Sequence, residues 1–408
     1  MKNIVFGLSL LSILLSQPVL AVIDSDASEI QLRKNCNAGG VQLDNCFTSL
    51  VDTLEWLWGI DPAKTHRSPI PSKTDPVIVD IGPGLFYVPT PENAGDVGAF
   101  CDQRGFVTFR GAGREHSIIS AADGATGYGL AINNCTSLSF QDLTIDTKDT
   151  FFGILWTGDG NSSYSNIELI GNGQLWYDLN CTTGNSKHYW TSSKLTAKTN
   201  PDTFPIANAY TSTCAETWFF GSEITAIGTR NNAKVIAIDV SSGIVHVYGS
   251  NIRALSDPGI ATSNIIAVQS FSNLGEVHIH GTGIDAISTD NNNVVALKAL
   301  SEGNIHASET SYVLKSNGGT KTRVVTDGGV INAPFNWGPR TEPPAIISVS
   351  GADTYIETDC LKDQKCSWKP DPLPQNEYPH MMVYRPACTG TGADQGPWYD
   401  TVTMECRQ

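Results

Sequence analysis

The sequence predicts an all-β chain: a parallel β-helix opened by a capping helix and closed by a disulfide-rich C-terminal segment. Three observations carry that expectation. With 38 glycines and only 16% charged residues in 408, the chain has many turns and an ample core. The stretches "IVHVYGSNIRAL" (244–255), "EVHIHGTGIDAI" (276–287) and "NIHASETSYVL" (304–314) share one pattern: an apolar–His–apolar strand, a short turn, then a second apolar strand. Ahead of them run "VIAIDV", "IIAVQS" and "VVALKA", starting at Val235, Ile265 and Val294. A period of about 30 residues that holds three short strands and no helical rhythm marks a coiled strand ladder. Each turn of such a ladder buries its apolar face only by stacking on the next.

The register of the repeat assigns faces, because side chains alternate along a strand. Val245, Val277 and Ile305 share one inward position, and Val247 and Ile279 the next. His246, His278 and His306 then share the outward position between them, and Tyr248 and His280 the one after. On the first strand of each coil, Asp239, Gln269 and Lys298 form an outward row. On the third strand the outward row is Glu168, Thr225, Arg253 and Asp285, beside an inward Ile252–Ile284 stack. Fainter copies of the repeat, "LSFQDLTID", "YSNIELIG" and "WFFGSEITAIG", lie upstream.

A strand stack needs closed ends, or its edges recruit other chains. In "LDNCFTSLVDTLEWLWG", Leu43, Phe47, Leu50, Leu54 and Leu57 fall on one helical face, with Asp44 placed as a cap or first-turn acid and Gly59 and Pro62 to stop it. This helix, within an N-terminal segment 22–75, is expected to lie over the first coil. The coils span 76–335, and a cysteine-rich cap follows over 336–408. Between Gly171 and Cys214 the repeat disappears, which predicts a long loop inserted in the scaffold. That loop carries Trp176, Tyr177, His188, Tyr189, Trp190 and Tyr210, rings of the kind that stack on sugar faces.

Residues 1–21, with Lys2, the apolar run "IVFGLSLLSILL" and the small residues Val19 and Ala21, read as a secretory signal. The run is too short to span a bilayer. Ten cysteines in an exported chain read as disulfides, with sequence neighbours as the simplest pairing: Cys36–Cys46, Cys101–Cys135, Cys181–Cys214, Cys360–Cys366 and Cys388–Cys406. A net charge of −15 without a basic patch argues against nucleic acid or an anionic membrane as partner. A polyanionic substrate would need cations to bridge it to this surface. Calcium could serve, although no motif marks a site for it.

The helix, the strand "PVIVDIGPGLFYV" (76–88) and the strand "GFVTFRGAGREHSIIS" (105–120) together resemble the way many members of the pectin-lyase-like superfamily enter their first coils. With the repeats, the resemblance covers residues 40–335. It implies a right-handed parallel β-helix and a secreted protein that acts on, or binds, a polysaccharide. The signatures of the pectinesterase, polygalacturonase and alginate-epimerase branches are missing, so the resemblance transfers no catalytic residue.

The rows then supply the candidates. Cleavage of a uronate chain by β-elimination needs a base, an acid for the departing oxygen and a cation for the carboxylate. His278 and His280 with Tyr248 suit the first two roles, and Arg253, one short turn away, suits the third. Trp176, Tyr177, Trp190 and His246 are the expected substrate contacts. The Asp239–Gln269–Lys298 row is the competing site, on the face that members of the resembled superfamily usually use. No metal site is expected, since no carboxylate adjoins the three histidines in this register. A simpler account of the histidine row, a solvated polar ladder, stands beside the catalytic one. The other function class is a non-catalytic β-helix that adheres to glycans.

Overall fold

The computed structural model describes most residues between 24 and 332 and five short strands beyond them. The signal segment and Cys360, Cys366 and Cys388, and with them the proposed pairs Cys360–Cys366 and Cys388–Cys406, lie outside the described residues. Three parallel sheets of thirteen, ten and nine strands run the length of the molecule. One coil, for example, is Asn264–Phe271, Gly275–His280 and Gly283–Ile287, each strand in a different sheet. The next coil opens with Val294–Leu300, paired in parallel with Asn264–Phe271.

The predicted faces are observed. Val245 pairs with Val277 and Val277 with Ile305, all fully buried. Ile252 pairs with Ile284, also buried. Strands 77–81, 84–87, 107–111 and 117–120 form the entry that the sequence suggested. Three of the paired cysteines are disulfides as expected: Cys36–Cys46, Cys101–Cys135 and Cys181–Cys214.

The helix is shorter than its leucine pattern and runs Leu50–Trp58. Its cap is Ser49, whose hydroxyl accepts from the backbone N–H of Asp52, and not Asp44. Gly59, left-handed at φ 59°, closes the last turn by donating to the Glu55 carbonyl. Phe47 belongs to the short strand Cys46–Phe47, and Leu43 precedes it outside the helix. The helix contacts the terminal strand of each of the three parallel sheets: Cys46–Phe47, Gly84–Tyr87 and Ala99–Asp102. Trp58 fixes it there by donating to the Phe100 carbonyl at 3.1 Å.

The expected insertion over 171–214 is not an insertion. The segment forms regular strands at Gln174–Leu179, Lys187–Thr191, Lys194–Lys198 and Ile206–Ser212, each in its proper sheet. On the thirteen-stranded sheet its inward positions carry His188 and Trp190 in place of the aliphatic pairs of later coils, which hid the repeat. The missing coil also corrects the third-strand row. Glu168 is in register with Lys194 and Glu223, two positions from the Thr225–Arg253–Asp285 row.

His188 shows how a polar ring enters such a core. It is fully buried, and its two nitrogens meet Ser162 Oγ at 2.7 Å and Ser186 Oγ at 3.2 Å. Its ring packs edge-on to Trp156 and Trp176. Burial pushes its pKa from 6.5 down to about 3. The unfolded chain therefore binds a proton between pH 6.5 and 3 that the folded chain excludes. Stability should fall as pH drops through that window, by up to about 4 kcal/mol from this group. Asp178 and Asp239, buried with raised pKa values, act in the opposite sense and offset part of the loss. The check is comparative: thermal midpoints from pH 7 to 4 should fall more steeply in the wild type than in His188→Gln. Equal slopes would contradict the neutral buried imidazole.

Candidate functional site

Two outward surfaces carry the predicted site residues. On the thirteen-stranded sheet, Tyr189, Trp218, His246, His278 and His306 occupy one row on five successive coils. Their rings stack with centroids 4.7, 5.2, 4.9 and 5.0 Å apart and planes within 13° of parallel. Stacking covers the ring faces, so the ladder offers the solvent its ring edges. A sugar that stacks on an aromatic needs a face, and the interior members of this ladder have none free.

The edges are themselves engaged. Glu276 Oε1 lies 2.9 Å from His278 Nε2 and 3.5 Å from His306 Nε2. Glu216 Oε1 lies 3.5 Å from His246 Nε2, without a hydrogen bond between them. Carboxylates do adjoin the histidines, contrary to the expectation from register. They come from the neighbouring outward row, two positions earlier, Glu276 on the strand of His278 and Glu216 on the coil before His246, which an alignment of the histidine column alone overlooks. His246 is half-buried, and its pKa is lowered by burial and by His278.

Tyr248 and His280 share the next row with ring centroids 6.4 Å apart, both exposed. Arg253 belongs to the nine-stranded sheet, where it bridges Glu223 at 3.5 Å and Asp285 at 3.3 Å. The turn at Gly249–Ser250 places it on a different face, committed to those carboxylates. Trp176 and Trp190 are fully buried and cannot meet a substrate. Trp190 stacks on Tyr164 at 3.9 Å, and Trp176 meets Trp190 edge-on. Both are core because the segment that carries them is a coil.

The second surface is the outward face of the ten-stranded sheet. Tyr177, Thr211, Asp239, Gln269 and Lys298 follow one another in register. Tyr177 is thus brought to the Asp239 row and not to the histidines. Beside Asp239 and Lys298 lies an open groove of about 350 Å³, also lined by Lys234, Asn264, Gln269 and Phe271. Asp239 is nearly inaccessible, accepting from Gln269 Nε2 at 3.0 Å and Asn208 Nδ2 at 3.3 Å. Burial nonetheless pushes its carboxyl above the usual range. Lys298 is half-buried, and burial and the nearby Lys234 ammonium hold its amine below the ordinary lysine value. Perturbed lysine and carboxyl groups converging on one concavity are the electrostatic pattern of a working site.

Lys234 and Asn208 were not among the sequence candidates. The signal was present in Lys234, since it opens the strand Lys234–Val240 as Asn264 opens the next coil's strand. Among the described residues, one cluster has metal-ligand chemistry, Asp178 with Cys181 and Cys214. Its two sulfurs are bonded to each other.

No family model matches the chain, and no curated protein matches it. Among solved structures it is similar to the A-module of the Azotobacter vinelandii mannuronan C-5 epimerase AlgE4. Identity there is 11% over 70% of this chain and 91% of that one, with a TM-score of 0.36. It is also similar to pectate lyase Pel9A, at 9% identity over 85% of this chain and 81% of that one, with a TM-score of 0.35. A third is a GH87 alpha-1,3-glucanase from Streptomyces thermodiastaticus, at 13% identity over 72% and 66%, with a TM-score of 0.20.

Proposed function

We propose that this chain, a parallel β-helix of the pectin-lyase-like fold, is an exported protein that cleaves an acidic polysaccharide at the groove of its ten-stranded sheet. In this reading the helix Leu50–Trp58 closes the first coil. The observation that carries the proposal is local charge. In a chain of net charge −15, Lys234 and Lys298 converge on one groove whose carboxyl, Asp239, burial favours in its neutral form. That is a place for an anionic sugar.

The chemistry follows from the roles. Neutral Lys298 takes the proton next to the sugar carboxylate, while Lys234 holds that carboxylate and the charge that develops on it. The carbon–hydrogen electrons form the new double bond as the glycosidic carbon–oxygen bond breaks. The departing oxygen takes a proton from solvent, because Asp239 is nearly inaccessible and both of its oxygens are engaged by Gln269 and Asn208.

The test is a screen of acidic and neutral polysaccharides, followed by ultraviolet absorbance and by reducing ends. Both signals should appear with an acidic glycan alone and rise with pH, because the amine must be neutral. Reducing ends without absorbance would mean hydrolysis. The burial of Trp176 and Trp190, which removes the expected aromatic overhang, favours a second reading: a non-catalytic β-helix that adheres to glycans. Binding with neither signal would establish that reading.

A further inference from the structure

A separate constellation lies on the thirteen-stranded sheet, at the end of the strand Asn304–Ser308. Ser308 pairs in register with His280 of the preceding coil. Its Oγ lies 2.8 Å from His280 Nδ1, and the other nitrogen of the ring, Nε2, lies 3.4 Å from Glu309 Oε2. Glu309 takes a left-handed backbone at φ 52°, so the chain turns immediately after Ser308. A hydroxyl within hydrogen-bond reach of a base, with the base oriented by a third group, is the arrangement that activates a serine nucleophile.

We propose that Ser308, His280 and Glu309 form a second catalytic site, one that hydrolyses small acyl esters such as an acetyl group carried on a hydroxyl. The imidazole keeps its proton on Nε2, facing Glu309, and leaves Nδ1 free to accept from Ser308. Ser308 Oγ bonds to the acyl carbon as its proton passes to Nδ1. The ester carbon–oxygen bond then breaks, and the departing alcohol takes that proton. Water, deprotonated by the same nitrogen, attacks the acyl-serine, releasing the carboxylate and restoring the hydroxyl.

The surroundings fit an acyl group borne on a large molecule. The side chain of His280 is 51% accessible, so a bulky carrier reaches it without an enclosing pocket. Tyr248 and Phe220, stacked at 5.4 Å and both exposed, lie on the two preceding coils of the same row and offer an apolar flank. The neighbouring His278 and His306 share a carboxylate instead, so the serine geometry belongs to His280. Glu309 acts through His280 and is a positioning residue.

The full chain should hydrolyse p-nitrophenyl acetate and be labelled by a fluorophosphonate, with peptide mass spectrometry placing the phosphonate on Ser308. Ser308→Ala and His280→Ala should each lower hydrolysis about 100-fold, near the low end for a positioned base, because the site is open. Glu309→Gln should lower kcat and leave KM unchanged, a split that a merely structural role would not produce. Ser308→Ala removes one half-buried oxygen, and an unchanged thermal midpoint confirms that it folds. A phosphonate found elsewhere, or hydrolysis by Ser308→Ala at the wild-type rate, overturns the assignment.

Discussion

Ile279→Asp should yield no folded protein, whereas His280→Ala, one residue away, should leave the thermal midpoint almost unchanged. Ile279 is 2% accessible and stacks between Val247 and Ala307 on adjacent coils. A carboxylate there has no partner, and the several kcal/mol it costs to bury an unpaired charge rivals the 5–15 kcal/mol by which domains are stable. Neutralising the aspartate by protonation lowers that penalty but leaves a polar group in an apolar stack. His280 points outward, with its side chain 51% accessible, and substitutions at such positions stay within about 0.5 kcal/mol. Circular dichroism and thermal melts of the two variants decide the matter. Comparable damage from both would mean that the faces are assigned wrongly, since a slip of one residue exchanges inside and outside along the whole strand.

Lys298→Met should abolish most turnover of an acidic glycan while leaving the fold intact. Methionine keeps much of the apolar stem and removes the amine. A positioned base contributes about 10²–10⁴-fold, and a loss of that size in kcat is expected, with a smaller change in KM. Lys234→Met should behave differently. Its main effect is a raised KM, because the carboxylate clamp is lost. It should also move the rise of activity to higher pH, because the Lys234 ammonium helps to hold the Lys298 amine below its ordinary value. Initial rates by ultraviolet absorbance across pH check both variants. Full activity in Lys298→Met would remove it from the chemistry.

The coiled architecture was legible because inward aliphatic residues repeat faithfully in the C-terminal coils, where Val245, Val277 and Ile305 need only be aligned. It became illegible where the inward residues are not aliphatic. His188 and Trp190 face inward between serines and other rings, and their polarity and size read as a surface loop. That one misreading produced the supposed insertion, exposed two buried tryptophans on paper and displaced Glu168 from its row. The groove was half visible. The Asp239–Gln269–Lys298 row follows from the repeat, but the burial that shifts Asp239 and Lys298 comes from strand packing, and Lys234 lines the same groove from the start of its strand, outside that row. Ser308 is in register with His280, so their contact follows from the repeat, but the approach of Glu309 to the ring depends on a turn that no spacing announces.

The central claim is that the working surface is the groove of the ten-stranded sheet and not the histidine row. Calorimetric titration of one acidic oligosaccharide into three proteins tests it most directly: the wild type, Lys234→Ala/Lys298→Ala and His278→Ala/His306→Ala. The account predicts that binding is lost in the lysine pair and retained in the histidine pair. Binding lost in the histidine pair and retained in the lysine pair would contradict it.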